Sequence, residues 1–245
     1  MASAGKTIAL VTGANQGVGL AVSKILSSDH GYHVIMAGRR EQAVQASADQ
    51  LKKQGLDVEP LVLDLGSDSS IDAAVDYVQS HYGVIDVLVN NAGIARASDP
   101  AADSRTTYET VLGTNVVGTM SVTEKFLPLL AKSQKTKRVV FVSSGSGSMT
   151  NWATPGSLTR NYKAPAYAVS KSALNALCLQ YAVEYEDDPT WKFNAGCPGY
   201  CSTNLNGFSG SNAPETGAQI ICKLATLDND GPSGVFMNRA GRIPW

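Results

Sequence analysis

Short apolar runs alternate with helical stretches along all 245 residues, and this alternation constrains the fold more than any single motif. The runs read as strands at 7–11 (TIALV), 32–37 (YHVIMA), 58–64 (VEPLVLD), 85–93 (IDVLVNNAG), 138–144 (RVVFVSS), 192–199 (KFNAGCPG) and 234–238 (GVFMN). Most are apolar with little polar alternation, as strands buried on both faces are. After the first run, Val18, Ala21, Val22, Ile25 and Leu26 recur at helical spacing and form one apolar stripe. Helical patterns also cover 40–54, 67–82, 103–131, 166–186 and 215–227. The stretch 103–131 is interrupted around GTNVVGT and reads as ending near Pro128. Strands alternating with helices need long crossovers, which make neighbouring strands parallel and put helices on both faces. The expectation is α/β: one doubly wound, mostly parallel seven-stranded sheet. No repeat or linker marks a second domain within 1–245.

The first strand passes to the first helix through VTGANQGVG (11–19). Gly13 permits a tight exit from the strand. Gly17 and Gly19 let backbone approach a pyrophosphate and let the helix pack close to the sheet. The helix N-terminus then presents free N–H groups and a positive dipole end to the phosphates. Glycines also serve ordinary turns, but a strand before and a helix after favour a dinucleotide, hence a Rossmann-type domain. The spacing is G-x-x-x-G-x-G, so Asn15, Gln16 and Val18 lie within the same cradle. At the end of the second strand an acid would hold the ribose hydroxyl of NAD, whereas arginine accommodates the extra phosphate of NADP. The chain reads MAGRR there, with Arg39 and Arg40 and no acid before Glu41, which favours NADPH/NADP+ over NADH.

Tyr167 is the only tyrosine with a lysine four residues on, in YAVSK (167–171). On a helix these two share a face. A solvated surface pair is the bland reading. The chemical one is a phenol acidified by a fixed ammonium and able to move a proton near neutral pH.

NNAG (90–93), VSS (142–144) and CPGYCST (197–203) fall at the ends of the fourth, fifth and sixth strands. With TGANQGVG and YAVSK in the same order, the chain resembles the short-chain dehydrogenase/reductases over essentially its whole length. IDVLVNNAGIA, RVVFVSS and the closing DGPSGVFM make it most similar to their NADPH carbonyl reductases. The resemblance implies that Tyr167 protonates a carbonyl oxygen, Lys171 lowers its pKa and meets the nicotinamide ribose, and Ser144 donates to the same oxygen. It implies that Asn115 holds a water leading protons to Lys171. Asp64 and Leu65 would meet the adenine, and Asn91, Ala92 and Gly93 the adenosine side. Pro198, Gly199 and Cys201, with Thr203, would hold the carboxamide. Two departures stand out. Gln16 occupies a place where many NADPH-using members carry a basic residue, which leaves phosphate recognition mostly to Arg39. The stretch between Ser144 and Tyr167 is longer than in most members and shorter than in the carbonyl reductases.

Specificity is expected in the loops 94–98, 145–163 (the insert) and 204–213, the last reading as a small mobile lid. Ile94, Trp152, Tyr200, Phe208 and Trp245 are candidate pocket walls, suited to an apolar or aromatic ketone or a quinone. The lid has no basic cluster, so phosphorylated or CoA-linked substrates are less favoured, with Arg96 and Arg160 as exceptions. The expected reaction is reduction of such a carbonyl to a secondary alcohol. The alternatives are a 3-oxoacyl reductase, an alcohol-oxidising dehydrogenase, or a non-catalytic NADP(H) sensor.

A net charge of −1 gives no basic field for nucleic acid or an anionic membrane. No apolar run approaches the ~18 residues of a membrane span, and the N-terminus enters a strand without a long apolar leader. Cys178, Cys197, Cys201 and Cys222 form no C-x-x-C pair, and no metal site is expected. His30, His33 and His81 read as structural or surface residues. A cytoplasmic protein acting on a small molecule is the expectation, with the subunit count open.

Overall fold

The computed structural model describes residues 5–245. In chain order they form β1 (Ile8–Thr12), α1 (Gly17–Ser28), β2 (His33–Gly38), α2 (Glu41–Lys52), β3 (Val58–Val62), α3 (Asp68–His81) and β4 (Val87–Asn90). Then come α4 (Ser104–Leu112), a π-helical turn (Gly113–Gly118), α5 (Thr119–Ala131), β5 (Lys137–Val142), α6 (Met149–Ala153), α7 (Pro165–Glu184), β6 (Trp191–Gly196), α8 (Pro214–Ala225), β7 (Phe236–Asn238) and β8 (Gly241–Arg242).

All strands join one sheet in the order β3-β2-β1-β4-β5-β6-β7-β8, parallel from β3 to β7. The order reverses direction between β1 and β4, so the carboxyl ends of those two strands flank the switch point where such sheets open a crevice. The sheet has eight strands, not the expected seven. The extra one is a two-residue antiparallel partner of β7, pairing Met237 with Arg242 and Asn238 with Gly241. It is too short and polar to leave a hydrophobic run in the sequence.

Strand alternation divides the core. Ile8 and Leu10 of β1 face one apolar layer, with Phe126 of α5 and Leu174 of α7. Ala9 and Val11 face the other, with Val22 of α1, Val44 of α2 and Ile221 of α8. Both faces are therefore covered, as the unbroken apolar runs require. Helix α5 runs three residues past Pro128. That proline lies on the exposed face, while Leu127, Leu129 and Leu130 stay buried. Burial outweighs the ring's disruption here.

The insert is more ordered than a polar loop. Ser148 accepts from the backbone of Asn151 and caps α6. Thr150 N–H and its hydroxyl both donate to Trp245 O, at 3.0 and 2.6 Å. His33 is buried in a polar chain, with Nδ1 2.8 Å from Asp57 and Nε2 2.9 Å from the Tyr82 hydroxyl. Among the described residues no helix is long and apolar enough to cross a membrane, and no group of potential metal ligands gathers. The four cysteines are free and buried.

Candidate active site

The glycine turn is packed so tightly that only glycine fits. Gly13 has φ +63°, and a Cβ there would stand 2.9 Å from Ala92 Cα. A Cβ on Gly19 would stand 2.4 Å from Asn91 Nδ2 and 2.5 Å from Gly13 O, closer than atoms tolerate. Asn91 is held in place by its side-chain amide, which donates to Thr12 O at 2.8 Å and Gly13 O at 3.2 Å. Thr12, which the sequence did not single out, ties the two strand ends together. Its hydroxyl accepts from the backbone of Asn91 and Ala92, each at 3.0 Å. An unbroken apolar run ending in one buried threonine was the available signal.

Helix α1 starts at Gly17 with no side-chain cap and no acid in its first turn. Its N–H groups are therefore free to meet an anion. Asn15 is held by Ser47, whose hydroxyl donates to Asn15 O at 2.8 Å. Gln16 and Arg39 are exposed, Arg39 one residue beyond the Gly38 that packs on Asn15. Val18 is half-buried in the first turn of α1. Asp64 turns one carboxylate oxygen to the backbone of Gly66 at 3.0 Å. Leu65 is buried, and its carbonyl lies where a Cβ on Gly118 would collide. A Cβ on Gly17 would stand 3.1 Å from Thr203 Cγ2, so the segment after β6 closes over the turn. Within that segment Gly199 adopts φ +79°, and the Cys201 thiol donates to Pro198 O at 3.3 Å. A turn packed too tightly for side chains and an uncapped helix end are the two features by which such folds receive a dinucleotide.

Tyr167, Lys171 and Ser144 meet at the carboxyl edge of β5. Pro165 opens α7 at a position suited to its missing N–H, which sets Tyr167 in the first turn. The Lys171 ammonium donates to Val142 O at 2.8 Å and lies 5.5 Å from the centre of the Tyr167 ring. Ser143 points the other way, donating to Asn175 Oδ1 at 2.6 Å. The Ser144 hydroxyl oxygen accepts from Ser146 N–H at 3.2 Å and from the Ser146 hydroxyl at 2.9 Å. Its own proton therefore remains to be donated. Gly147 is pressed on α7, where Ser172 and Asn175 both donate to its carbonyl. That contact fixes the start of the insert, and Ser144 with it.

Asn115 is fully buried in the π turn. Its amide donates to Ile94 O at 2.8 Å and Ser170 Oγ at 2.9 Å, and accepts from Ile94 N at 2.8 Å. Ser170 in turn donates to Tyr167 O at 2.7 Å. The Asn115 side chain is thus a clamp on α7 and on the chain leaving β4, and its bonds do not use the residue's own backbone carbonyl. A Cβ on Gly93 would lie 3.2 Å from Asn115 Oδ1 and 3.6 Å from Lys171 Nζ, so that glycine keeps the space between them clear.

The electrostatics depart from the sequence expectation. Burial pushes the Tyr167 phenol well above the usual range, Tyr162 and Cys197 add to the rise, and Ser144 opposes it. Burial also brings the Lys171 ammonium down to about 8, with Cys197 acting the other way. The ammonium is directed to Val142 O, so in this arrangement desolvation outweighs any acidifying effect of the lysine.

A cleft of about 480 Å³ opens beside this cluster, with Tyr108, Tyr162, Ala166, Tyr200 and Leu205 in its walls. Of the expected walls, Tyr200 lines it. Ile94, Trp152, Phe208 and Trp245 do not. Ile94 meets Asn115 through its backbone N–H and carbonyl, Trp152 donates its indole N–H to Ser146 O at 2.7 Å, and Trp245 packs on Phe236. Phe208 stands at a loop tip, 66% exposed and with φ +62°. Tyr162 stands with its ring centre 6.0 Å from that of Tyr167. The 204–213 loop is stapled to its stem. Phe208 N donates to Thr203 O, Asn206 Nδ2 to Cys201 O, and Asn212 N to Tyr200 O.

The model of the short chain dehydrogenase family matches residues 7–213. Short-chain dehydrogenase anuI of Penicillium roqueforti is 38% identical, over 92% of this chain and 91% of its own. Carbonyl reductase [NADPH] 1 of Mus musculus is 30% identical over 99% of this chain and 100% of its own. Among solved structures, NADPH-bound carbonyl reductase from chicken fatty liver superposes with a TM-score of 0.83 at 25% identity. It covers 98% of this chain and 99% of that one. Salutaridine reductase from Papaver somniferum gives 0.78 at 27%, over 94% and 99%.

Proposed function

Since the chain belongs to the short-chain dehydrogenase family of oxidoreductases, we propose that it is an NADPH-dependent carbonyl reductase making secondary alcohols from aromatic ketones or quinones. One observation carries this reading. Tyr167, Ser144 and Lys171 gather at the end of β5, and Tyr162, 6.0 Å from the Tyr167 ring, lines the neighbouring cleft. The NADPH names of the relatives support the cofactor, as does Arg39 at the end of β2.

When bound, the cofactor supplies hydride from nicotinamide C4. Gly13, Asn15, Gln16, Gly17, Val18 and Gly19 receive the pyrophosphate, and Arg39 receives the ribose phosphate. Asp64 and Leu65 meet the adenine, while Asn91 to Gly93 line the adenosine side. Pro198, Gly199, Cys201 and Thr203 hold the carboxamide end. Ser144 donates its free hydroxyl proton to the substrate carbonyl, polarising it. Tyr167 then gives its proton to the oxygen as charge develops there. Lys171, anchored on Val142 O, keeps its other N–H groups for the ribose. The loop at 204–213 and the insert at 145–163 set the substrate side of this single domain. We place the protein in the cytoplasm, acting on a small molecule without a metal.

The test is consumption of NADPH against NADH with a panel of ketones, aldehydes and quinones, beside a Tyr167→Phe protein. The variant should lose roughly 10²–10⁴-fold in turnover and still bind NADPH. Full turnover by the variant would remove the proton-donor role. Cofactor binding with no turnover of any carbonyl would favour a sensor.

A further inference from the structure

We propose that the cleft beside Tyr167 selects aromatic carbonyl compounds that carry an anionic group, a carboxylate or an ionised phenol, through Arg96 and Lys163. The inference rests on the reading of the chain as a carbonyl reductase and narrows its substrate.

Arg96 leaves the segment after β4 and Lys163 closes the insert, yet both line the same cleft. No aspartate or glutamate lines it. The nearest acids in sequence are turned to backbone, Asp99 accepting from Ala101 N–H and Asp103 from Thr106 N–H. Neither Arg96 nor Lys163 forms an ion pair among the described residues. Arg160, the other basic candidate of the insert, donates to Trp152 O instead and does not line the cleft. The chain as a whole is close to neutral, so this one-sign lining is a local feature.

Charges of one sign in a concave site focus the field and draw in the opposite charge. A guanidinium also matches the planar fork of a carboxylate. Tyr108, Tyr162 and Tyr200 supply flat faces for an aromatic ring, and Tyr162 leads directly to Tyr167. The volume suits a small aromatic molecule. An aromatic ketone with its carbonyl at Tyr167 would extend its ring past Tyr162 and place an acidic substituent at the basic rim.

The test compares 4-acetylbenzoate with its methyl ester on the NADPH-loaded enzyme. The acid should be favoured in kcat/KM by roughly three- to ten-fold, the worth of one or two exposed ion pairs. The advantage should shrink at high salt. An Arg96→Gln, Lys163→Gln double variant should bring the acid-to-ester ratio to about one, whereas Arg96→Lys should keep most of it. A second readout is the binding of both compounds to the NADPH-loaded Tyr167→Phe protein, followed by fluorescence quenching. If neither compound is reduced but the acid binds tighter and the double variant erases that difference, the reductase reading falls and the anion selectivity stands. If both are reduced with equal efficiency, or the ester is preferred, or the double variant leaves the ratio unchanged, the selectivity is overturned and the reductase reading survives.

Discussion

The glycine turn and the loop after Tyr200 face each other at Gly17 and Thr203, yet they are held by opposite means. The turn is fixed by excluded volume. Gly13 and Gly19 have neighbours where a Cβ would go, and those neighbours are backbone and a hydrogen-bonded Asn91 anchored through the sheet. The loop is fixed by its own polar staples around Asn206 and Asn212, with Phe208 exposed at its tip. A region locked by packing transmits a change to everything it touches. One locked by local hydrogen bonds absorbs it. Cofactor binding should therefore be brittle and substrate choice pliable.

The harshest way to break that contrast is Gly19→Val. Overpacking of this kind costs about 1–3 kcal/mol, so the melting temperature should fall by roughly 2–12 °C. NADPH affinity measured by calorimetry should fall by at least ~100-fold. Wild-type affinity in the variant would show that the turn relaxes and that the contrast is false. Next comes Arg39→Asp, which leaves the packed turn alone and changes only its charge. A lost charge-assisted contact of about 1.5–3 kcal/mol should lower the NADPH-to-NADH preference roughly 10- to 100-fold. An unchanged ratio would remove Arg39 from phosphate recognition.

The pH dependence of reduction should be smaller and of fixed sign. Burial lowers Lys171 to about 8, so its ammonium is present below that pH and lost above it. Turnover should decline above pH 8, by about tenfold per unit at the limit, and Lys171→Arg should flatten the fall because arginine does not titrate there. A profile that rises through pH 8 would contradict the need for the charge. Smallest of all is Phe208→Gly. It relieves a left-handed backbone at an exposed tip, which costs about 1–2 kcal/mol, and should leave the melting temperature equal or a few degrees higher. Turnover should change less than twofold. A larger fall would show that the tip folds onto the substrate and that the loop is less pliable than described.

The same contrast explains what the sequence could tell. Strands buried on both faces leave apolar runs, and a backbone-built cradle leaves glycines, so the sheet core, the turn and the Tyr167–Lys171 pair were legible. The eighth strand was not, because two polar residues at Gly241–Arg242 carry no pattern. Neither was the persistence of α5 past Pro128, which depends on which face the proline occupies. The pocket walls were read from side-chain type alone. Trp152 and Trp245 have the right chemistry, but hydrogen bonds and packing made across the fold turn them elsewhere. Tyr167 and Lys171 were paired by spacing, but the raised phenol depends on burial and on where Nζ points, neither of which a five-residue motif states.

The π winding at Gly113–Gly118 amounts to one surplus residue carried inside a continuous rod. Deleting a residue there would restore regular α pitch with α5 still close to its present register, because the wider turn is what absorbs the extra residue. The cost would fall on the turn itself, where Asn115 would swing off Ile94 and Ser170. Composition in this stretch is lenient in places, with Val117 largely exposed and open space beside Gly113. Length is not. The segment works as a ruler, and the chain can exchange letters there more readily than it can lose one.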